Sequence, residues 1–268
     1  MVLGSFLLIA LASGCLAAWG TDALTWLWVF PLSFVGTFLG LILLVALLVG
    51  IMALTVDRNK PQKKDSGFYR FVIYRVLDLV LPMIRFRVHT QGMEHAPKCR
   101  RALFVCNHLH ELDPAILLDQ FRDYRLAFIS KKENEKLPVV APFMHKILCQ
   151  SIDRDNDRQA LTTILKCIDL LKEEKVSVAV FPEGHCHKDG QLHPFRSGVF
   201  KIAQRAKVPV VVCTLQNTQH GVHNLLRLKP TDIELHLVAV LEPEALAGWT
   251  ATQISDHVHA LMRQDFGQ

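Results

Sequence analysis

ALFVC (residues 102–106) runs directly into NHLHELDP (residues 107–114). The first segment is a continuous apolar run, which is typical of a strand buried on both faces of a parallel sheet. In the second segment, Asp113 and Pro114 resemble a helix start, because a carboxylate can cap the first turn and proline suits the first helical position. Together the two segments predict a strand, a polar loop and a helix.

The same alternation of strands and helices continues along the chain. Strands are predicted at 124–129, 147–152, 176–181, 208–215 and 233–241, and helices at 113–121, 161–171, 198–207 and 254–262. Such alternation indicates an α/β domain with a mostly parallel sheet flanked by helices. We place this domain at residues 101–268.

The first fifth of the sequence differs from the rest. The chain has 268 residues, of which 50% are hydrophobic, and a formal charge of +5, yet Asp22 is the only charged residue in residues 1–56. A bilayer core about 30 Å thick requires roughly 20 helical residues to cross it. Two apolar runs separated by the polar residues 20–22 therefore predict a transmembrane or membrane-embedded helical hairpin over residues 1–56.

Residues 57–100 are expected to connect the hairpin to the α/β domain. Their first part is basic, with Arg58, Lys60, Lys63 and Lys64, and positive charge beside a membrane span is usually retained in the cytoplasm. The α/β domain is therefore expected on the cytoplasmic face. Residues 68–81 predict either an amphipathic helix at the membrane interface or a core helix of the soluble domain, and the sequence leaves both open.

Two polar segments follow buried strands, at the sheet edge where α/β proteins usually bind ligands. One is NHLHELDP, and the other is FPEGHCH (residues 181–187). In the first, the Asp113 carboxylate is suited to accept the Nδ1 proton of His108, which would leave Nε2 as a base. His108 and Asp113 are therefore the candidate catalytic pair.

The order of these motifs resembles the glycerolipid acyltransferase family, which includes bacterial 1-acylglycerol-3-phosphate acyltransferases. Asn107 precedes a His-x4-Asp motif, which ends at Pro114. An Ile-Asp-Arg triplet (152–154), the FPEG segment and a Val-Pro pair (208–209) follow in the family's order. The resemblance covers roughly residues 85–215, and the two apolar segments before it are also similar to the family.

This resemblance implies direct acyl transfer in phospholipid biosynthesis. His108 would act as general base on the acceptor hydroxyl, and Asp113 would orient it. Arg154 would contact an acceptor phosphate, while Glu183 and Gly184 would position the acceptor.

The remaining implications concern the substrates and partners. Asn107 is grouped with the substrate-binding residues. The acyl donor would be acyl-coenzyme A or an acyl carrier protein, with no further cofactor and no metal. Membrane lipids are the expected partners, and 1-acyl-glycerol-3-phosphate is the expected acceptor.

The sequence departs from the family directly after FPEG. The family typically continues with Thr-Arg-Ser, whereas this chain has His185, Cys186 and His187. The arginine expected to bind phosphate is therefore missing, and Lys188 or Arg196 could replace it.

Two alternatives remain open. His185, Cys186, His187 and His193 could be metal ligands of a membrane-anchored hydrolase, because imidazole and thiolate are preferred zinc donors. A non-catalytic lipid-binding protein of the same fold is the other. Nucleic acid is not an expected partner, since the basic residues lie beside the apolar segments rather than in a separate basic module.

Overall fold

A computed structural model of the chain describes residues 2–98, 101–153 and 156–267. Within these residues, the α-helices are α1 (Val2–Ala17), α2 (Ala23–Leu54), α3 (Gly67–Met83), α4 (Asp113–Gln120), α5 (Val140–Lys146), α6 (Asp157–Lys172), α7 (Lys201–Ala206), α8 (Gly221–Leu226) and α9 (Ala251–Asp265). The strands are β1 (Phe86–Gln91), β2 (Leu103–Cys106), β3 (Leu126–Lys131), β4 (Gln150–Ile152), β5 (Ser177–Val180), β6 (Val210–Gln216) and β7 (Thr231–Leu241).

The strands form one sheet in the order β1-β7-β6-β2-β5-β3-β4. All neighbouring strands run parallel except β6 and β7, which are antiparallel. The predicted fold class, a mostly parallel sheet flanked by helices, is confirmed. The central strand β2 lies between β6 and β5, so every residue of β2 is buried.

The two faces of the sheet are covered by different helices. On one face, Leu77 of α3 and Ile116 and Leu117 of α4 pack against apolar side chains of the strands. On the other face, α6, α7 and α9 cover the remaining apolar side chains of the strands, and Ile168 and Val258 are among the buried helix residues. Because both faces are covered, the central strands β2, β5 and β6 are buried almost throughout rather than at alternate residues.

Strand β1 corrects the predicted domain boundary at residue 101. It pairs with β7 from Phe86↔Thr231 to Gln91↔His236, so the sheet begins fifteen residues earlier than the boundary placed it. The sequence FRVHTQ gave no strand signal because β1 is an edge strand whose side chains are mostly exposed or half-buried. Polar edge strands are common because they resist pairing with other molecules.

The first two helices pack against each other as the predicted hairpin. Asp22 begins α2, where its carboxylate accepts hydrogen bonds from the backbone N–H groups of Leu24 and Thr25. Ser13 and Thr37 share a hydrogen bond of 2.8 Å between the two helices. Among the described residues, α2 is the helix that is long and apolar enough to cross a membrane, judged by length and composition, while α1 is shorter.

Helix α3 has one face in the protein core and one face exposed. Leu77 and Leu81 belong to the core beneath the sheet, whereas Phe68 and Phe71 are 63% and 58% exposed. The core interpretation of residues 68–81 therefore holds for the buried face. Contact of the exposed aromatic face with a membrane stays a prediction.

A buried ion pair joins α3 to the sheet. The Arg70 guanidinium lies 2.7 Å from the Asp65 carboxylate, and both side chains are almost fully buried. Arg70 also donates hydrogen bonds to the carbonyl oxygens of Arg125, Leu126 and Ile147. Removing the Arg70 side chain is costly because three carbonyl oxygens lose a charged donor and the buried Asp65 carboxylate keeps only Arg125 as its cationic partner.

The substitution Arg70→Ala should lower the free energy of unfolding by about 3–5 kcal/mol. For a domain of this size, that corresponds to a fall of roughly 6–20 °C in the thermal midpoint. Circular dichroism of the detergent-solubilised protein would measure the midpoint.

Arg75→Ala on the same helix provides the matched control. Arg75 pairs with Asp78 at 3.0 Å, but its side chain is 41% exposed, so the loss should stay at about 0–1 kcal/mol. Equal losses for the two variants would contradict a special role for the buried pair.

Candidate active site

Asn107 follows β2 and holds the end of that strand against β6. Its side-chain amide donates to the carbonyl oxygen of Leu215 at 2.8 Å and accepts from the backbone N–H of Leu215 at 2.7 Å. The residue is completely buried, and both polar ends of the amide are occupied. Asn107 thereby positions the loop that begins with His108, and its contact with substrate stays a prediction.

His108 and Asp113 form the predicted pair. His108 Nδ1 lies 2.9 Å from Asp113 Oδ2. The same carboxylate oxygen accepts the backbone N–H groups of Leu109 at 2.7 Å and His110 at 2.8 Å. A fully buried carboxylate requires such donors, and a proton on Nδ1 leaves the other ring nitrogen as an acceptor. The loop is therefore wrapped around one oxygen of Asp113.

The imidazole of His108 is held on its face as well as at its edge. Its ring stacks on Phe181, with the centroids 4.3 Å apart, and Phe181 stacks in turn on Phe128. The His108 side chain is 19% exposed, and in the described residues no hydrogen-bond partner is found for Nε2. This nitrogen is thus the available base at the carboxyl edge of the sheet.

Glu183 comes to the same place from the neighbouring strand. Because β2 and β5 pair in parallel, with Val105 opposite Val180, the segments after them emerge side by side. Glu183 Oε1 accepts the backbone N–H of His108 at 2.9 Å. Burial raises the pKa of the Glu183 carboxyl to about 7, which backbone N–H groups of His108 and His193 only partly oppose.

Gly184 and Arg196 line a cavity beside the pair. Gly184 has φ of +81° and ends a turn in which its N–H donates to the carbonyl oxygen of Phe181 at 3.1 Å. Glycine suits this conformation because it has no Cβ. The cavity measures about 170 Å³ and is otherwise lined mainly by apolar side chains, including Ile129, Ile164 and Val199. Arg196 supplies the basic group of this lining.

The histidine-containing segment after FPEG covers one side of His108. The backbone N–H of His187 donates to the carbonyl oxygen of His108 at 2.8 Å. His187 and His193 stack with their centroids 3.6 Å apart, and His193 Nε2 lies 2.8 Å from an Asp189 oxygen. Burial is the main cause that lowers the pKa of His187, and nearby His193 lowers it further.

The other candidate residues differ in how far they reach this centre. Lys188 pairs with Glu111 at 2.7 Å on the protein surface. Arg154 lies outside the described residues. Within the described parts of the chain, no group of three His, Cys, Asp or Glu side chains is arranged to hold a metal ion, so this geometry gives the metal-hydrolase alternative no support.

Comparison with known proteins adds to this geometry. Residues 87–216 match the family model described as Acyltransferase. The chain is therefore similar to the acyltransferase family over this region, which is just under half of its length. The matched region runs from β1 to the end of β6 and contains both segments that form the His108 site.

Several proteins similar to this chain carry informative names. The chloroplastic 1-acyl-sn-glycerol-3-phosphate acyltransferase BAT2 of Brassica napus is 35% identical over 134 residues, which cover 50% of this chain and 38% of that protein. A probable 1-acyl-sn-glycerol-3-phosphate acyltransferase of Mycoplasma pneumoniae is 31% identical, covering 60% of this chain and 61% of that protein. The chain thus spans about two fifths to three fifths of these two relatives' lengths.

A solved structure supports the fold of the chain. The crystal structure of the 1-acyl-sn-glycerophosphate (LPA) acyltransferase PlsC from Thermotoga maritima aligns with a TM-score of 0.59. The alignment covers 82% of this chain and 94% of that chain at 21% identity. This likeness concerns the architecture alone.

Two contributors to the candidate site are not predicted by the sequence. One is Phe181, the first residue of FPEG, for which the sequence predicts no role. Its ring provides the stacking surface for His108. An aromatic residue directly after a strand that neighbours β2 was the available signal. The clamp between Asn107 and Leu215 joins residues 108 positions apart, and no local pattern indicates it.

The raised pKa of Glu183 predicts a pH-dependent stability. Between its ordinary pKa of 4.5 and its raised pKa of about 7, the folded protein keeps a proton that the unfolded chain loses. This contribution to stability is therefore lost as the pH rises through that window. Glu183→Gln should raise the free energy of unfolding at pH 8 by at most about 3 kcal/mol, with a much smaller gain at pH 5.

Thermal unfolding at both pH values would measure this difference. Glu111→Gln is the control, because Glu111 is exposed and pairing with Lys188 lowers its pKa instead. The same gain for Glu183→Gln at pH 5 and pH 8 would show that Glu183 does not titrate in this window.

Proposed function

We propose that this chain transfers a fatty acyl group from a thioester to the hydroxyl of a lysophospholipid, with 1-acyl-glycerol-3-phosphate as the acceptor. The observation that carries the proposal is His108, whose Nδ1 faces the buried Asp113 carboxylate at 2.9 Å while Nε2 remains available. An alcohol is a weak nucleophile, and a positioned imidazole is the usual base that activates it.

In the proposed reaction, His108 Nε2 takes the proton of the acceptor hydroxyl as its oxygen attacks the thioester carbonyl. A carbon–oxygen bond forms, and the tetrahedral intermediate collapses when the carbon–sulfur bond breaks. The protonated imidazole gives this proton to the leaving thiolate, which departs as the free thiol. Asp113 keeps the ring in one tautomer and stabilises the positive charge that forms on it. The reaction requires no metal or further cofactor beyond the donor, which is acyl-coenzyme A or an acyl carrier protein.

The acceptor phosphate is proposed to lie near Arg196. A guanidinium binds phosphate through paired hydrogen bonds, and Arg196 lines the cavity that also contains Gly184. The named relatives act on 1-acyl-sn-glycerol-3-phosphate, which supports a phosphate-bearing acceptor. Arg154, Lys188 and Glu183 are the further residues proposed to contact or position it.

Membrane lipids are the proposed source of the acceptor. Helix α2, with 32 residues, is about 48 Å long at 1.5 Å per residue, which exceeds the bilayer core. The hairpin of α1 and α2 would retain the protein at the membrane. The basic segment after α2, from Arg58 to Lys64, would keep the α/β domain on the cytoplasmic face.

His108→Ala should lower kcat by about 10² to 10⁴ because the base is lost, with little change in the amount of folded protein. Asp113→Asn should also lower kcat, since the ring would lose its charged partner. Acyl transfer to a lysophospholipid, followed by mass spectrometry with both donor types, would measure the effect.

His89→Ala is a matched control. His89 Nε2 also pairs with an aspartate, Asp232, at 3.1 Å, but both side chains are about half exposed on the edge of the sheet. Its removal should leave kcat unchanged. Full activity of the His108→Ala variant would refute the proposed chemistry.

Arg196→Ala should raise KM for a phosphate-bearing acceptor while kcat changes little. A charged hydrogen bond contributes about 1.5–3 kcal/mol, which predicts a roughly 10- to 100-fold rise in KM. An uncharged monoacylglycerol should be affected much less, because it has no phosphate to bind.

Arg205→Ala serves as the control for this effect, since Arg205 is exposed on α7, away from the cavity lining. Equal changes in KM for charged and uncharged acceptors would argue against phosphate binding by Arg196.

A further inference from the structure

An exposed group of apolar and basic side chains follows β6, and we call residues 221–229 the α8 turn. Val222, Leu226 and Leu228 are 57%, 82% and 75% exposed. Arg227 and Lys229 alternate with these leucines and are exposed as well. Single exposed leucines are ordinary on protein surfaces, but several together mark an interaction site.

The α8 turn is firmly attached to the sheet, so its exposure does not result from loose packing. Gly221 lies so close to Phe86 that an added Cβ would approach the ring to 2.6 Å. The Arg85 guanidinium donates a hydrogen bond to the carbonyl oxygen of Leu228. The backbone N–H of Lys229 donates to the carbonyl oxygen of Asn224 at 2.8 Å.

Leu228 occupies an unfavourable backbone conformation while its side chain faces solvent. Its φ is +54°, in the left-handed region where glycine or asparagine is preferred. A leucine there costs conformational energy, and with 75% of its surface exposed it regains little from packing within this chain. An external apolar environment would supply the missing burial.

The charges around these leucines indicate which environment fits. Arg227 and Lys229 have no ion pair with a carboxylate among the described residues, and Arg85 lies beside them through its contact with Leu228. Basic side chains next to exposed leucines match the boundary of an anionic bilayer, where the apolar groups enter and the charges meet headgroups. The charge complementarity thus favours a lipid surface over an uncharged protein groove.

The α8 turn lies at the same sheet edge as His108. It follows β6, which is parallel to β2 with Cys213 opposite Cys106. The segment just before it also adjoins the histidine-containing segment, because an added Cβ on Gly190 would approach the side chain of Gln219 to 3.0 Å. A lipid surface touching the α8 turn would therefore face the candidate active site.

We propose that the α8 turn is a second membrane-contact surface, which inserts Val222, Leu226 and Leu228 at the boundary of an anionic bilayer. Arg227 and Lys229 bind the headgroups beside them. The contact acts together with the α1 and α2 hairpin and turns the carboxyl edge of the sheet towards the bilayer. It stands independently of the proposed acyl transfer, because it concerns lipid contact rather than chemistry.

The test uses the full chain reconstituted into phosphatidylcholine vesicles with or without phosphatidylglycerol. Cys15, Cys99, Cys149 and Cys186 are replaced by serine, whereas the buried Cys106, Cys167 and Cys213 are kept. One cysteine introduced at Leu226 or Leu228 then carries an environment-sensitive fluorophore. Nitroxide-bearing lipids quench a fluorophore that enters the bilayer boundary. Glu173→Cys is the matched control, because this exposed residue precedes β5 at the opposite edge of the sheet.

Quenching should be strong at positions 226 and 228 in anionic vesicles and weak at position 173. Arg227→Ala and Lys229→Ala should each lower the ratio of docked to undocked turn about fivefold. Quenching no greater at 226 and 228 than at 173 would overturn the proposal. Equal quenching in neutral and anionic vesicles would overturn the proposed binding of anionic headgroups. A fluorescence change that depends on protein concentration but not on lipid would overturn the membrane contact and identify a protein contact instead.

Discussion

The burial of the Asp113 carboxylate is the constraint on which the active-site loop depends. A completely buried negative charge is unfavourable unless donors surround it. Here one oxygen accepts two backbone N–H groups and the imidazole of His108. The chain between β2 and α4 must therefore curl around that oxygen, and this curl determines where His108 points. The conformation that gives this oxygen its three donors is therefore also the one that orients His108, whereas the second oxygen, Oδ1, is buried without a hydrogen-bond partner among the described residues.

The remaining orientation of His108 comes from the neighbouring strand. Parallel pairing of β2 and β5 brings FPEG beside the loop, so that Phe181 supports the ring and Glu183 accepts the backbone N–H of His108. Parallel pairing between non-consecutive segments needs a long connection, here supplied by the helices on both sides of the sheet. The site is therefore a consequence of strand order as much as of its own residues.

The sequence predicted the fold class and the His108–Asp113 pair because both depend on local patterns. Apolar runs indicated the buried strands, and an aspartate before a proline indicated a helix start next to a histidine. Strand β1 was missed because an edge strand needs no apolar alternation. The contact between Asn107 and Leu215 was not predicted because the two residues are distant in the chain. Non-local contacts of this kind are decided by topology, which single-sequence patterns do not contain.

The basic residues after FPEG differ in how well they are suited to bind the proposed anionic acceptor. Burial and the neighbouring His193 lower the pKa of His187, so His187 stays uncharged more readily than an exposed histidine. The Lys188 ammonium is already compensated by Glu111 at 2.7 Å. Arg196 differs from both because it is a basic residue in the lining of the cavity beside Gly184. Among the described residues that line this cavity, the basic side chain therefore belongs to the segment before α7. The family usually has its arginine directly after FPEG instead.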